Sequence, residues 1–474
     1  MAATLPYLLG VDAGTSSCRV VLIDSAGHIL ARSRAAYDTS YPRPGWAEQD
    51  PEDWYRALVL GIRRCIEAAA VPAAQILALS VCGPAHNAVL LDRDGSVLQP
   101  VILWSDLRSA PQAAWLEEEH GATIFKTTYQ PVNPSWTLAQ LLWVRQNQPQ
   151  IWEQVDRVVI GKDYLTYRLT GAWGTDRYDA MGTQLFDART GEWSQPICGV
   201  LGLSPGRLPP VGDATQVAGE ITSAAAQATG LAMGTIVAVG SGDSVVEALG
   251  AGVVSPGQCI VKLGTAGNVN VVTAEPRPDR RTLTYCHVVP GRWYAIAATN
   301  AGAAAAKWFR QAFDLEARLP GSEGRFLVDR LAAEVPPGSE GLVFHPYLQG
   351  ERCPYWNPTL RGDFVGITIR HRQAHFCRAV LEGVAFSLRD CMDLVREMKV
   401  TPADVRLMGG GARSALWQQI VADVLNVALL VCEREVTSFG AALLAGVTGG
   451  VFDIEAAADL AHTRTGGVVR PDPD

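Results

Sequence analysis

Leu8-Leu9-Gly10-Val11 is an unbroken apolar run that breaks at Asp12-Ala13-Gly14-Thr15-Ser16-Ser17 and resumes as Cys18-Arg19-Val20-Val21-Leu22-Ile23-Asp24. A short apolar run bounded by turn residues is the pattern of a buried strand, so this stretch predicts two strands joined by a tight turn. The pattern returns about half a chain later. Cys259-Ile260-Val261-Lys262-Leu263 runs into Gly264-Thr265-Ala266-Gly267-Asn268 and on into Val269-Asn270-Val271-Val272. That spacing lies outside the roughly 20–50-residue periods of solenoids and predicts two similarly built domains, placed at 1–240 and 241–474.

Between the two copies, Gly27 to Ser33 predicts a third strand of the first sheet. Asp50-Pro51 predicts a capped helix start, and Trp54, Leu58, Ile62 and Ile66, four residues apart, carry that helix to about Ala70. Strands are predicted at Ile76 to Val81, Ala88 to Asp92 and Val101 to Trp104. The first ends in Cys82-Gly83-Pro84-Ala85-His86-Asn87, the last in Ser105-Asp106-Leu107-Arg108. From about 110 to 230 the chain reads as more helical and irregular, with tryptophans that serve mainly as packing residues. Thr235 to Val239 predicts a strand opening the second domain, followed by Gly240-Ser241-Gly242-Asp243-Ser244 and a small-residue helix from Val245 to Gly252. Further strands are predicted around Leu283 to His287 and Trp293 to Ala298, and Asn300-Ala301-Gly302 opens a helix carrying Trp308 and Phe309. A long core helix from about Gln373 to Met398 follows from the spacing of Phe376, Val380, Val384, Leu388, Cys391, Leu394 and Met398. Finally, Val405 to Met408 predicts a strand running into Gly409-Gly410-Gly411-Ala412-Arg413-Ser414, before a helix near Ala415. Strands that alternate with helices and stop in polar, glycine-containing corners predict an α/β architecture with ligands at those corners.

At 474 residues the chain exceeds one typical core. With 48% hydrophobic and 19% charged residues it is globular rather than disordered. A net charge of −8, with no run of Lys or Arg, argues against a nucleic-acid partner, which asks for a basic stripe. Ten cysteines without a C-x-x-C pair or a metal-ligand cluster read as free thiols in a reducing cytoplasm. Residues 1–6 carry no positive segment, so no signal peptide is expected. The most apolar run, Ala68 to Cys82, is interrupted by Pro72 and Gln75 and is too short for a bilayer. The expectation is a cytoplasmic protein with no membrane partner.

Gly14 with Thr15 and Ser16 lets backbone come close to a ligand and aim N–H groups at it, and Asp12 at the base of the turn can hold a metal. An ordinary hairpin is the other reading. The second copy at Gly264-Thr265 favours a phosphate clamp. Asp243, where a strand ends and a helix starts, is either a reactive carboxylate or an N-cap. Three glycines at 409–411 leave bare backbone suited to a ribose or purine face. Three signatures fail. In Gly202-Leu203-Ser204-Pro205-Gly206 the residue after the serine has no N–H for an oxyanion hole. Val245 occupies the third glycine position after Gly240-Ser241-Gly242, and Gly161-Lys162 runs into Asp163, so neither a dinucleotide fingerprint nor a P-loop is present.

Several stretches in order carry a resemblance that covers nearly the whole chain. They are Asp12-Ala13-Gly14-Thr15-Ser16, Trp46-Ala47-Glu48-Gln49-Asp50-Pro51, Ile102-Leu103-Trp104-Ser105-Asp106, Lys162-Asp163-Tyr164-Leu165 and Gly242-Asp243. Leu263-Gly264-Thr265, Tyr347-Leu348-Gln349-Gly350-Glu351-Arg352, Leu381-Glu382-Gly383-Val384 and Gly409-Gly410-Gly411-Ala412-Arg413-Ser414 complete the set. In these the chain resembles the FGGY carbohydrate kinases of the actin, hexokinase and Hsp70 superfamily. The resemblance implies two ribonuclease-H-like α/β domains flanking a catalytic cleft, with ATP and Mg²⁺ as cofactors and a small sugar as substrate. It implies Asp243 as general base and Asp12 as the metal-associated aspartate. Thr15, Ser16, Gly264 and Thr265 would form the phosphate loops, and Gly302, Gly410, Gly411 and Ser414 the nucleotide contacts. Ala85, His86, Trp104, Asp106, Asp243 and Ser244 would line the sugar. The pattern is nearest to members acting on D-xylulose, with ribulose, another ketose, a polyol or an aldonate behind. Ala85 stands where Met is usual and Ser244 where Asn is usual, and both positions would touch the sugar. Ser438-Phe439-Gly440-Ala441-Ala442, in place of Ala-Leu-Gly-Ala-Ala, is a smaller departure expected beside the nucleotide half. A homodimer is left open.

Overall fold

A computed structural model describes residues 6–315, 327–432, 436–462 and 464–473. The reading of residues 1–5 lies outside them. The chain forms two compact units. The first comprises Met1–Val254, Tyr285–Arg292 and Glu435–Thr463; the second comprises Ser255–Thr284, Trp293–Arg434 and Arg464–Asp474.

In the first unit, Tyr7–Ala13 pairs antiparallel with Ser17–Ile23, and that strand pairs antiparallel with Ile29–Ala36. On its other side Tyr7–Ala13 runs parallel to Ile76–Gly83, which runs parallel to Ile236–Ala238, with Val217–Glu220 antiparallel at the edge. Six of the seven residues of the first strand are buried, as the unbroken apolar run predicts for a strand covered on both faces. Leu9 and Val11 share one core with Trp54, Leu58 and Ile62 of the helix Pro51–Ala69, whose start is capped by Asp50 accepting from the Glu52 N–H. Gly10, between them, faces Ser438 and Ala442 of the helix Val436–Thr448 on the opposite face.

Three expectations need correction. The strand expected to open a second domain near residue 235 lies inside the first sheet instead, between Ile76–Gly83 and Val217–Glu220. The strand predicted from Val101 to Trp104 is only Val101–Ile102. The Ser438–Ala442 stretch, expected beside the nucleotide half, lies in the first unit, where its small side chains allow a very close approach. A Cβ on Gly440 would strike the Val246 carbonyl and come within 3.1 Å of the Gly250 Cα, so the helix Val436–Thr448 lies directly on the helix Asp243–Gly250.

The second unit repeats the wiring. Gln258–Leu263 pairs antiparallel with Gly267–Thr273, and that strand with Trp293–Thr299. Gln258–Leu263 then runs parallel to Ala403–Met408, which runs parallel to Leu429–Cys432, with Thr465–Val469 antiparallel at the edge. Three antiparallel strands followed by two parallel ones thus occur in both units, so the repeat in sequence is a repeat of topology. The helix Gln373–Glu397 buries Val380, Val384, Leu388, Cys391 and Leu394 against this sheet, as its periodicity predicts. All ten cysteines are free thiols, eight of them buried. Among the described residues no helix is long and apolar enough to cross a membrane.

Candidate active site

Strand register brings Asp12 and the turn before Asp243 to one end of the first sheet. Asp12 stands opposite Cys82 on one side of the strand Ile76–Gly83; on the other side Ser241 stands opposite Cys82 and Gly242 opposite Gly83. Ser241 is therefore level with Asp12 across that strand, about two strand spacings or roughly 10 Å away, and Asp243 follows two residues beyond Ser241, within electrostatic reach of Asp12. This is the carboxyl end of parallel strands, where open sheets hold ligands.

Asp243 is the first residue of its helix. The capping position falls to Gly242, with no side-chain cap, so the simple N-cap reading does not describe it. The Ser244 hydroxyl donates to Asp243 Oδ1 at 3.4 Å. Tyr178 and Tyr285 stack at 4.2 Å beside this carboxylate. Burial, and then acidic neighbours that include Asp243, hold both phenols well above their ordinary pKa.

Asp12 is 4% exposed and accepts from Arg19 Nη1 at 3.1 Å. Burial lifts its pKa to about 7; Arg19 opposes the rise, while Asp243 and Glu247 add to it. Asp12 is thus a buried acid with Arg19 as its cationic partner and further acids nearby. In the adjoining turn the Gly14 carbonyl accepts from the Tyr37 hydroxyl and the Thr15 carbonyl from Gln49 Nε2 at 2.8 Å. Thr15 and Ser16 themselves are exposed. Trp104 Nε1 donates to Thr15 Oγ1 at 3.3 Å, and the Trp104 backbone N–H donates to Asn87 Oδ1 at 2.8 Å, so the tryptophan is fixed over the turn.

His86 adopts φ 75°. Its Nδ1 lies 2.6 Å from the Gly182 carbonyl, which can only accept, so Nδ1 carries the proton and Nε2 is an acceptor. The Tyr285 hydroxyl lies 3.4 Å from Nε2, and the Trp136 ring meets the imidazole edge-on at 4.1 Å. Burial lowers the imidazole pKa to about 4. Ala85 is buried beside Gly182. Asp106, in contrast, is 1% exposed and committed to the framework. It accepts from the Ala47 N–H at 2.6 Å and from the Arg108 fork at 2.7 to 3.0 Å, and Arg108 stacks 3.6 Å over Trp46.

The second unit gathers its glycines at one sheet end. The Gly264 and Thr265 carbonyls accept from the Ala303 and Ala304 N–H groups at 2.7 and 3.1 Å, which seats the helix Ala303–Ala312 on the turn. A Cβ on Gly302 would lie 2.6 Å from both those carbonyl oxygens, so only glycine fits. Glu351 pins the preceding residues, accepting from Thr299 Oγ1 at 2.5 Å and the Asn300 N–H at 2.7 Å. Lys262 pairs with Met408, which brings the Gly409–Gly411 loop to the same end; Gly409 and Gly410 are exposed and Gly411 is buried under Trp417. Ser414 caps the helix Ala415–Leu425, accepting from the Trp417 N–H at 3.2 Å and donating to Asp329 Oδ1 at 2.5 Å.

Sequence reasoning missed Arg19, Tyr178 and Tyr285. Arg19 was within reach, since a three-residue turn after Ala13 sets Asp12 opposite Arg19. The tyrosines lie about 65 and 40 residues from Asp243 with no pattern to mark them. A groove of about 790 Å³ lined by Glu52, Gln99, Tyr164 and Arg168 contains none of the predicted residues. Among the described residues no group of three or more His, Cys, Asp or Glu is arranged to hold a metal. A single buried acid such as Asp12 suits Mg²⁺ carried on phosphates, which needs only one or two protein carboxylates.

Two repeated α/β units, with glycine turns at their strand ends and an acid pair on the first, define a two-domain phosphate-handling enzyme. The N-terminal domain model of the FGGY family of carbohydrate kinases matches residues 7–250, and its C-terminal domain model residues 259–449. The chain belongs to that family. It is 34% identical over 423 residues to the xylulose kinase of Escherichia coli, covering 88% of this chain and 84% of that one. It is 32% identical over 452 residues to the xylulose kinase of Bacillus subtilis, covering 95% and 89%. The crystal structure of a xyloylose kinase from Brucella ovis superposes with a TM-score of 0.91 at 31% identity, covering 98% of this chain and 95% of that one.

Proposed function

We propose that this ATP-dependent sugar kinase transfers the γ-phosphoryl group of ATP to a hydroxyl of D-xylulose, with Asp243 as general base. The observation that carries the reading is that Asp12 and Asp243 lie within electrostatic reach of each other at one end of the first sheet. Phosphoryl transfer asks the protein mainly for positioning and charge stabilisation. Asp243 accepts the proton of the attacking hydroxyl, and Ser244 orients its carboxylate. His86 Nε2 accepts a hydrogen bond from a second sugar hydroxyl, and Trp104 packs against the sugar beside Thr15. Asp106 acts indirectly, by holding Arg108 and the backbone of Ala47. The amides of Thr15 and Ser16, and those of Gly264 and Thr265 in the second unit, receive phosphate oxygens. Gly302, Gly410 and Gly411 leave room for the nucleoside, and Ser414 keeps that loop in place through its cap. Asp12 would hold Mg²⁺, which when bound neutralises the polyphosphate.

Ala85 and Ser244 bear on the choice of sugar, because each is smaller than the residue usual in relatives acting on D-xylulose. The ten free thiols fit a reducing cytoplasmic setting. The test is coupled ADP release with D-xylulose, ribulose, glycerol and gluconate. The highest kcat/KM is expected for D-xylulose. A higher value for another sugar reassigns the substrate, and no stimulation by any of them refutes the kinase reading.

A further inference from the structure

Behind the Asp243 turn lies a buried charge cluster that takes no direct part in phosphoryl transfer. Lys162, at the start of the helix Gly161–Thr170, has a side chain with no exposed surface. Its ammonium contacts Asp163, lies 3.3 Å from both Asp176 Oδ1 and Asp179 Oδ2, and donates to the Val239 carbonyl at 3.3 Å. A lysine is rarely buried so completely without a specific use for its charge, because desolvation is costly.

Two lines lead from this ammonium to the proposed chemistry. The first runs to the base. Val239 follows the strand Ile236–Ala238 and leads into Gly240-Ser241-Gly242-Asp243, and Ser241 Oγ donates to Asp176 Oδ2 at 2.5 Å. The second runs to the histidine. Asp176 caps the helix Arg177–Gly182, accepting from the Tyr178 and Asp179 N–H groups at 3.0 and 3.4 Å. That helix presents Tyr178 against Gly242 and ends in the Gly182 carbonyl that accepts from His86 Nδ1. One cation thus anchors both the backbone that aims Asp243 and the carbonyl that sets the His86 tautomer.

We propose that Lys162, through Asp176 and Ser241, is a positioning residue that holds Asp243 and His86 in register with one another. The proposal rests on the assignment of Asp243 as base. Burial raises Asp163 and Asp179 above the ordinary carboxyl range, which lowers the negative charge that Lys162 must balance.

Lys162→Met strands three buried carboxyls and can fail to fold, so Ser241→Ala carries the test, since it cuts only the link between Asp176 and the turn. The expected result is kcat lowered about 10- to 100-fold, the range a misplacement near 1 Å produces, with KM for ATP unchanged. Turnover is expressed per mole of nucleotide-binding protein, so a loss of folded enzyme does not imitate the effect. In the Asp243→Asn background, Ser241→Ala should cost nothing further, because residues acting through one group are not additive. A wild-type kcat in Ser241→Ala, or a full additional loss in the double variant, overturns the proposal. If the wild-type protein itself shows no sugar-dependent ADP release, the base assignment falls and this inference with it. If Asp243→Asn loses activity while Ser241→Ala keeps it, only the positioning role falls.

Discussion

Sugar binding is predicted to be nearly independent of pH between 8 and 5.5, although its proposed acceptor is a histidine. Burial holds the His86 pKa at about 4 rather than the ordinary 6.5, and donation from Nδ1 to Gly182 reserves Nε2 as an acceptor. At pH 5.5 a group with pKa 4 is only about 3% protonated, whereas one at 6.5 is about 90% protonated. If only the neutral ring accepts a sugar hydroxyl, the dissociation constant changes by a few per cent in the first case and rises about 11-fold in the second. Calorimetric titration of D-xylulose at pH 8, 7, 6 and 5.5 distinguishes these outcomes. Stability gives an independent readout. The folded-state pKa is depressed, so this histidine stabilises the fold above about pH 6.5, and that contribution is lost as pH falls towards 4. By pH 4.5 the loss is about 2 to 3 kcal/mol. Asp12 works in the opposite sense, since its raised pKa gives a contribution that is lost as pH rises through about 7. The comparison is therefore between wild type and His86→Asn, a residue that tolerates the positive φ at this site. Urea unfolding should show the wild type losing that much more stability than the variant between pH 7 and 4.5. An 11-fold weakening of sugar binding centred near pH 6.5, or the same pH dependence of unfolding in both proteins, refutes the reasoning.

Asp243→Asn should keep the fold and ATP affinity yet lose at least about 10²-fold in turnover, the usual scale of general-base catalysis; near-normal sugar-dependent ADP release would remove it from that role. Gly302→Val pushes a branched side chain into the Gly264 and Thr265 carbonyls, so nucleotide affinity measured by calorimetry should fall sharply while D-xylulose affinity is kept. Gly440→Val overpacks the contact with the helix Asp243–Gly250 and should cost about 1 to 3 kcal/mol, read as a lower midpoint in urea; an unchanged midpoint would mean the two helices are not in close contact.

Apolar runs and turn chemistry, both local properties of the chain, determined much of this protein. Leu8 to Val11 and Cys259 to Leu263 could only be buried strands, and the glycine turns behind them marked one topology used twice. The Asp50-Pro51 start and the four-residue spacing of the Gln373 helix were equally plain, because caps and helical faces are written in neighbouring residues. Partners distant in sequence were decided only by tertiary structure. Strand pairing depends on backbone hydrogen bonds that look alike in every strand, so nothing local assigned Ile236–Ala238 to Ile76–Gly83 or set Ser241, in the turn before Asp243, level with Asp12. Side-chain contacts over such distances also gave each acid its own role. Asp176 and Asp179 went to Lys162, and Asp106 took its Ala47 contact from 59 residues away. Asp12 is buried and came within electrostatic reach of Asp243 and Glu247, more than 200 residues along the chain.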